Sequence, residues 1–251
     1  FLAVGDNFIA EGRFALISLV QDVDDGGDID VTGASVLILT LENVNIYAGA
    51  GFEWSLNANT APTIATVDTT NATGFFVTGG SVEFITINDP TGPPVASWSA
   101  VYASLDEASV VGLPDDVLTL ALYDVTFGMN VADASGTKVN WTNTGITDTP
   151  TTIATFDANY GITFGGTVLL SVKDATFGEV QAAIFGTLSG SVSTADNLTD
   201  GATNVVAANI FEFSIQGGNV FAGTGATFVY DGTTLTTDYT MASGLSASGV
   251  N

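Results

Sequence analysis

The sequence predicts an all-β chain, with a repetitive β-solenoid as the first expectation and a β-sandwich or other antiparallel β architecture as the alternative. Three observations carry that reading. The phrase Val44-Asn45-Ile46-Tyr47-Ala48-Gly49-Ala50-Gly51 returns as Gly218-Asn219-Val220-Phe221-Ala222-Gly223-Thr224-Gly225, each residue number raised by 174. Both copies follow runs with the two-residue period of a strand: Leu37, Leu39 and Leu41 in one, Phe211, Phe213 and Ile215 in the other. No long segment carries the period of an amphipathic helix.

Taken in order, Phe8-Ile9-Ala10 and the run from Phe14 to Val20 predict opening strands separated by Glu11-Gly12-Arg13. The acidic segment 22–30 predicts a turn. After Leu41 the pair Glu42-Asn43 breaks the alternation and Val44 and Ile46 restart it, which predicts a bulge or a tight corner. The same grammar recurs where Leu118, Leu120 and Leu122 precede Tyr123-Asp124, then Val125, Phe127 and Gly128. It recurs again where Val168, Leu170 and Val172 precede Lys173-Asp174, then Ala175, Phe177 and Gly178. Segment 61–68 resembles 149–157, and each leads to a Gly-Gly pair (Gly79-Gly80, Gly165-Gly166) before another β run. Strands are also predicted at 80–89, from Trp98 to Leu105 and at Phe228-Val229-Tyr230. Turns are predicted at 89–94, at Pro114-Asp115-Asp116 and across 196–203, and a linker or frayed tail at 243–251. The whole reads as one elongated β domain, 1–251, with internal units near 31–60, 79–105, 112–140, 163–190 and 207–232.

Composition narrows the function. The chain has 251 residues, 27 acidic and 3 basic side chains, and a formal charge of -24. Arg13, Lys138 and Lys173 cannot neutralise a phosphate track, so nucleic acid is excluded as a partner. Attraction to an anionic membrane surface is disfavoured for the same reason, and no apolar stretch predicts direct membrane insertion. The absence of Cys and His removes disulfides, thiol nucleophiles, Cys/His zinc sites and every His-containing triad. Two carboxylates could still cleave a glycosidic bond, yet no pair is marked out, so no catalytic residue and no required cofactor are expected. The chain opens on Phe1 without a basic, apolar leader, so a secreted protein would carry its targeting segment outside this sequence.

Four groups of residues are candidates for binding or assembly. Asp22, Asp24, Asp25, Asp28 and Asp30 surround two glycines, an oxygen-rich set suited to Ca²⁺, with a hydrated acidic turn as the plainer reading. Trp54, Trp98 and Trp141 could stack on sugar rings, or pack in the core. Asn71, Asn140 and Asn197 head Asn-x-Thr triplets that permit N-glycosylation. Phe14, Leu16 and Leu19, with the apolar opening at 1–4, mark a strand that could pair with an exposed edge of another subunit.

The phrases around 43–51, Asp124-Val125-Thr126-Phe127-Gly128, Asp174-Ala175-Thr176-Phe177-Gly178 and 218–225 resemble repeat segments of giant bacterial extracellular surface or adhesin proteins. The resemblance implies a secreted or cell-surface structural role. The leading expectation is a filament-building or surface module that joins homo-oligomer or filament protomers by strand addition. A monomeric adhesion module for glycans or surface proteins is the alternative, and an acidic polysaccharide-active enzyme comes third.

Overall fold

The structure, a computed structural model, describes residues 2–4, 7–57, 63–68, 71–91, 96–112, 118–173, 179–199, 204–230 and 234–250, without the side chains of 2, 4, 56, 57, 63–66, 193–199, 204–209 and 250. Thirteen strands run in chain order: β1 Leu2–Val4, β2 Phe8–Asp24, β3 Asp30–Ala50, β4 Glu53–Asn57, β5 Thr63–Asp68, β6 Thr73–Asn88, β7 Ser97–Val111, β8 Leu118–Val131, β9 Ile162–Lys173, β10 Val180–Thr199, β11 Asn204–Tyr230, β12 Leu235–Asp238 and β13 Ser243–Val250. The main sheet follows the order β1-β2-β3-β6-β7-β8-β9-β10-β11-β12, with β13 also on β11 and β4-β5 forming a separate hairpin. Every pairing is antiparallel. The fold is therefore all-β, a long meander that does not close on itself. Stacked parallel coils are not among the described pairings; the chain takes the other antiparallel β architecture.

The polar and glycine pairs that punctuate the sequence line up across this sheet. Asn43 (φ 51) and Asp124 (φ 50) sit in the left-handed region, and Gly79 (φ 63) and Gly217 (φ 60) do the same in β6 and β11. Asn, Asp and Gly are the residues that reach this region at least cost. Register shifts fall beside them at Glu11/Arg13, Leu41/Val44, Tyr123/Thr126 and Phe185/Thr187. Thr78, Glu107, Tyr123, Thr167, Thr187 and Gln216 are lateral neighbours in succession, so one kink line crosses the sheet. The interruption at Glu11-Gly12-Arg13 belongs to it, making β2 one kinked strand instead of two. Lys173 does not; it closes β9, and Asp174, Ala175, Phe177 and Gly178 lie outside the described residues, as do Pro114, Asp115 and Asp116.

The 174-residue recurrence is a structural duplication. Phe8↔Ala48, Ile9↔Tyr47, Arg13↔Glu42 and Gln21↔Ala34 in β2–β3 reappear as Ala182↔Ala222, Ala183↔Phe221, Thr187↔Gln216 and Ala195↔Ala208 in β10–β11. The correspondence continues through the excursion that follows each long strand. Glu53↔Asp68 matches Thr227↔Asp238, and Gly49↔Gly74 matches Gly223↔Gly244. The repeated glycines have a steric cause: a Cβ on Gly49 would stand 2.0 Å from the Thr73 carbonyl oxygen, and one on Gly223 2.2 Å from that of Ser243. Residues 243–250 are thus a paired strand and not a frayed tail. The 61–68 and 149–157 resemblance is not structural: 63–68 is β5, whereas the later segment holds a 3-10 turn at Ile153–Thr155. In the predicted turn 196–203, β10 continues to Thr199.

One face of the sheet is covered. Val23, Val36, Ile38, Ile85, Ile87 and Trp98 pack beneath the 132–161 connection, which inserts Val139, Trp141, Ile146, Ile153 and Phe156. Further along the same face, Ile9 and Tyr47 lie under Phe52, with Trp54 and Val67 of the β4–β5 hairpin. The equivalent Ala183 and Phe221 lie with Ala226, and Phe228 and Ala242 pack against them. The period that Leu37, Leu39 and Leu41 mark does not identify the core side, where the sequence reading put such residues: they are only partly buried and face away from this core, while the interleaved Val36 and Ile38 enter it. β3 is apolar on both faces here, so alternation alone could not choose the side.

Candidate functional site

The opposite face carries a continuous apolar surface with no described cover. Phe14 pairs with Leu41, and Leu16 with Leu39; Leu39 neighbours Phe84, which neighbours Val101. The row continues through Phe127 and Phe164 to Phe211, Phe213 and Ile215. Phe14 is 76% exposed and Phe211 63%. Beyond the kink line the same face continues through Leu120, Leu170, Ile184 and Val220. Ser18, Thr86 and Ser99 are polar positions within this alternation, but Glu83 and Glu212 stand in the opposite register. Exposed apolar patches of this extent are characteristic of surfaces that contact another molecule.

The sheet also ends in two open edges. β1 pairs with β2 only at Phe8, Ile9 and Ala10, leaving the outer side of residues 12–24 without a partner strand among the described residues. β11 meets β13 and β12 only between Gly218 and Tyr230, so the outer side of 204–216 likewise has no partner strand among the described residues. Such edges present unpaired backbone N–H and C=O groups to other strands.

The sequence candidates distribute unevenly over these features. Phe14 and Leu16 lie on the open edge and point to the bare face, while Leu19, also on that edge, packs against the core. The acidic segment is a structural turn. Asp25, 3% exposed, accepts Gly27 N–H (2.8 Å) and Ile29 N–H (3.2 Å) through Oδ1, and Asn140 N–H (3.0 Å) through Oδ2. Asp24 accepts Gly26 N–H and Asp22 accepts Gly33 N–H, both at 2.8 Å, while Asp28 and Asp30 face solvent. Calcium requires several oxygens converging on one point. Among the described residues no three acidic side chains so converge, and both carboxylate oxygens of Asp25 accept backbone amides.

Trp98 (6% exposed) and Trp141 (2%) are core residues, which corrects the sugar-stacking reading: buried indoles offer no face to a ring. Trp54 is half-buried against the β4–β5 cluster. Asn71 is an exposed turn residue. Asn140 is half-buried and its Oδ1 accepts the Thr142 hydroxyl of its own triplet (2.7 Å). Asn197 is a strand residue opposite Val206, its side chain outside the description.

Sequence reasoning missed the residues that fasten the cover. Asn130 donates through Nδ2 to the Val139 (2.9 Å) and Asp157 (3.0 Å) carbonyls and accepts Trp141 Nε1–H through Oδ1 (2.9 Å). Glu83 accepts the backbone N–H groups of Thr152 and Ile153, both at 3.0 Å, and the Thr152 hydroxyl. The available signal was that 132–161 lacks strand alternation yet contains Trp141, Ile146, Ile153 and Phe156.

Electrostatic perturbations here are structural. Burial, then Glu11, raises the Tyr47 phenol; burial, then Glu107, raises that of Tyr123, which stacks on Tyr230 at 3.9 Å. Asp89, Asp133 and Asp238 are held below the usual carboxylate range chiefly by the hydroxyls of Thr91, Ser135 and Thr240 in their own turns. Among the described residues no helix is long and apolar enough to cross a membrane. No family model, curated protein or solved structure matches the chain.

Proposed function

We propose that this chain is a structural module of a secreted or cell-surface assembly, a surface or filament-building unit that joins protomers by strand addition. The single observation supporting it most is the pair of open edges on a sheet that already contains one module twice in the same register. Along residues 35–41, β3 has β2 on one side and β6 on the other; the equivalent residues 209–215 of β11 have β10 on one side and no described strand on the other. Likewise β10 has β9 on the side opposite β11, along Ile162–Lys173, whereas on the side opposite β3 the described partner of β2 is the short β1. Each edge thus has the backbone form of a strand that elsewhere in this molecule has a partner. A monomeric glycan-binding adhesion module has weaker support, because only Trp54 of its three tryptophans retains an accessible face.

Negative-stain microscopy and sedimentation over a concentration series test the proposal. Ordered, concentration-dependent polymers are expected, and Ser18→Pro in β2 or Ser214→Pro in β11 should shorten or abolish them, because proline cannot donate to a ladder. A persistent monomer with turnover on polysaccharides would overturn the reading.

A further inference from the structure

The duplicated module contains its own control for what should cover the bare face. Under the 132–161 connection, the covered register of the first copy holds Ile17 and Ile38. Their equivalents in the second copy, Ser191 and Glu212, paired in the same register, have no described core cluster over them. Where the cover is missing, the side chains are polar. The bare register behaves oppositely: Leu37, Leu39 and Leu41 correspond to Phe211, Phe213 and Ile215, apolar in both copies although nothing described covers either.

We propose that the bare face packs against the bare face of a second copy of this chain, two sheets face to face. Eight long strands spaced about 4.8 Å apart, with about 12 residues each at roughly 3.3 Å per residue, present on the order of 1,500 Å². A stable interface needs about 800 Å² per partner, so even partial overlap suffices. Sheets stacked in this way interdigitate large side chains about 10 Å apart, and the Phe and Leu rows supply such side chains. Charge argues for the same occupant. A formal charge of -24 opposes an anionic lipid surface. In a face-to-face pair, Glu83 and Glu212 point outward and the 22–30 hairpin lies at the end of the sheet, so repulsion acts over distances that salt screens.

Sedimentation equilibrium of the full chain at about 0.15 M and about 1 M NaCl tests this, with tighter dimerisation expected at the higher salt. The double variant Leu39→Glu, Phe213→Glu should weaken the dimer at least a hundredfold, while Glu212→Gln on the other face leaves it unchanged. Carbene footprinting of the unaltered chain removes dependence on how the variants fold: labelling of Phe14, Phe211 and Phe213 should fall as concentration rises, while exposed Met241 stays constant. Three results would overturn the proposal. One is a monomer at about 100 µM, well above the dissociation constants of specific interfaces, with Phe213 fully labelled. Another is capture of the monomer by phosphatidylcholine vesicles with protection of the same residues, assigning the face to lipid. The third is association carried by the edge alone, seen as loss of the dimer in Ser18→Pro but not in Leu39→Glu, Phe213→Glu, or as polymers lacking face protection.

Discussion

The two copies of the module, 8–75 and 182–245, share strand register, kink position and close-packed glycines, yet differ in what stands on the covered face. Ile17 and Ile38 in the first copy become Ser191 and Glu212 in the second. Tyr47 becomes Phe221, and Phe52 becomes Ala226, where a hairpin or an extended strand end still shields them. Backbone pairing is therefore set by a few left-handed and glycine positions, which both copies keep. Side-chain character follows local cover, which they do not share.

Exchanging residues between the copies tests this comparison most severely. Ile38→Glu buries an unpaired carboxylate beneath Trp141 and Ile153 and should cost on the order of 4 kcal/mol or more, measured by urea unfolding. The reverse exchange, Glu212→Ile, should stay within about 0.5 kcal/mol. Equal costs would mean that cover does not distinguish the copies. Next in size, Asp25→Ala leaves the amides of Gly27, Ile29 and Asn140 without their acceptor. A loss of about 3 kcal/mol is expected, with hydrogen exchange rising first across 132–161, since Asn140 ties that connection to the β2–β3 turn.

Gly49→Ala and Gly223→Ala sharpen the shared half of the comparison. Both introduce a methyl into backbone of the partner strand and should each cost about 2 kcal/mol. A penalty in only one copy would break the equivalence. The smallest effect concerns the first turn of the cover. Asp133 has a lowered pKa, first through the Ser135 hydroxyl, so its contribution is present above the unfolded-state value and is lost as pH falls through the folded one. The Ser135 and Thr137 amide resonances should titrate below the ordinary aspartate range; a transition at the ordinary value would show that the turn does not hold the carboxylate.

Much of the fold was legible because its punctuation is chemical. Asn43 and Asp124 announce the kink line, whereas the steric cause of the repeated Ala-Gly-x-Gly phrase, close approach of two strands, emerges only from the pairing. The inward face was not legible, since Val36-Leu37-Ile38-Leu39 is apolar in both registers and only the distant 132–161 connection decides between them. The acidic turn was legible as a turn, but its role in anchoring Asn140, 115 positions away, was not. Solenoid and meander share the same strands and corners; they differ in which strands pair, and local alternation is silent on that.

Cross-strand nuclear Overhauser contacts in the labelled chain test the duplicated antiparallel register most directly. Residue 18 should contact 37, and residue 192 should contact 211, with 39 neighbouring 84 across the next strand. Parallel contacts between equivalent positions of successive repeats, or a different offset in the two copies, would contradict the account.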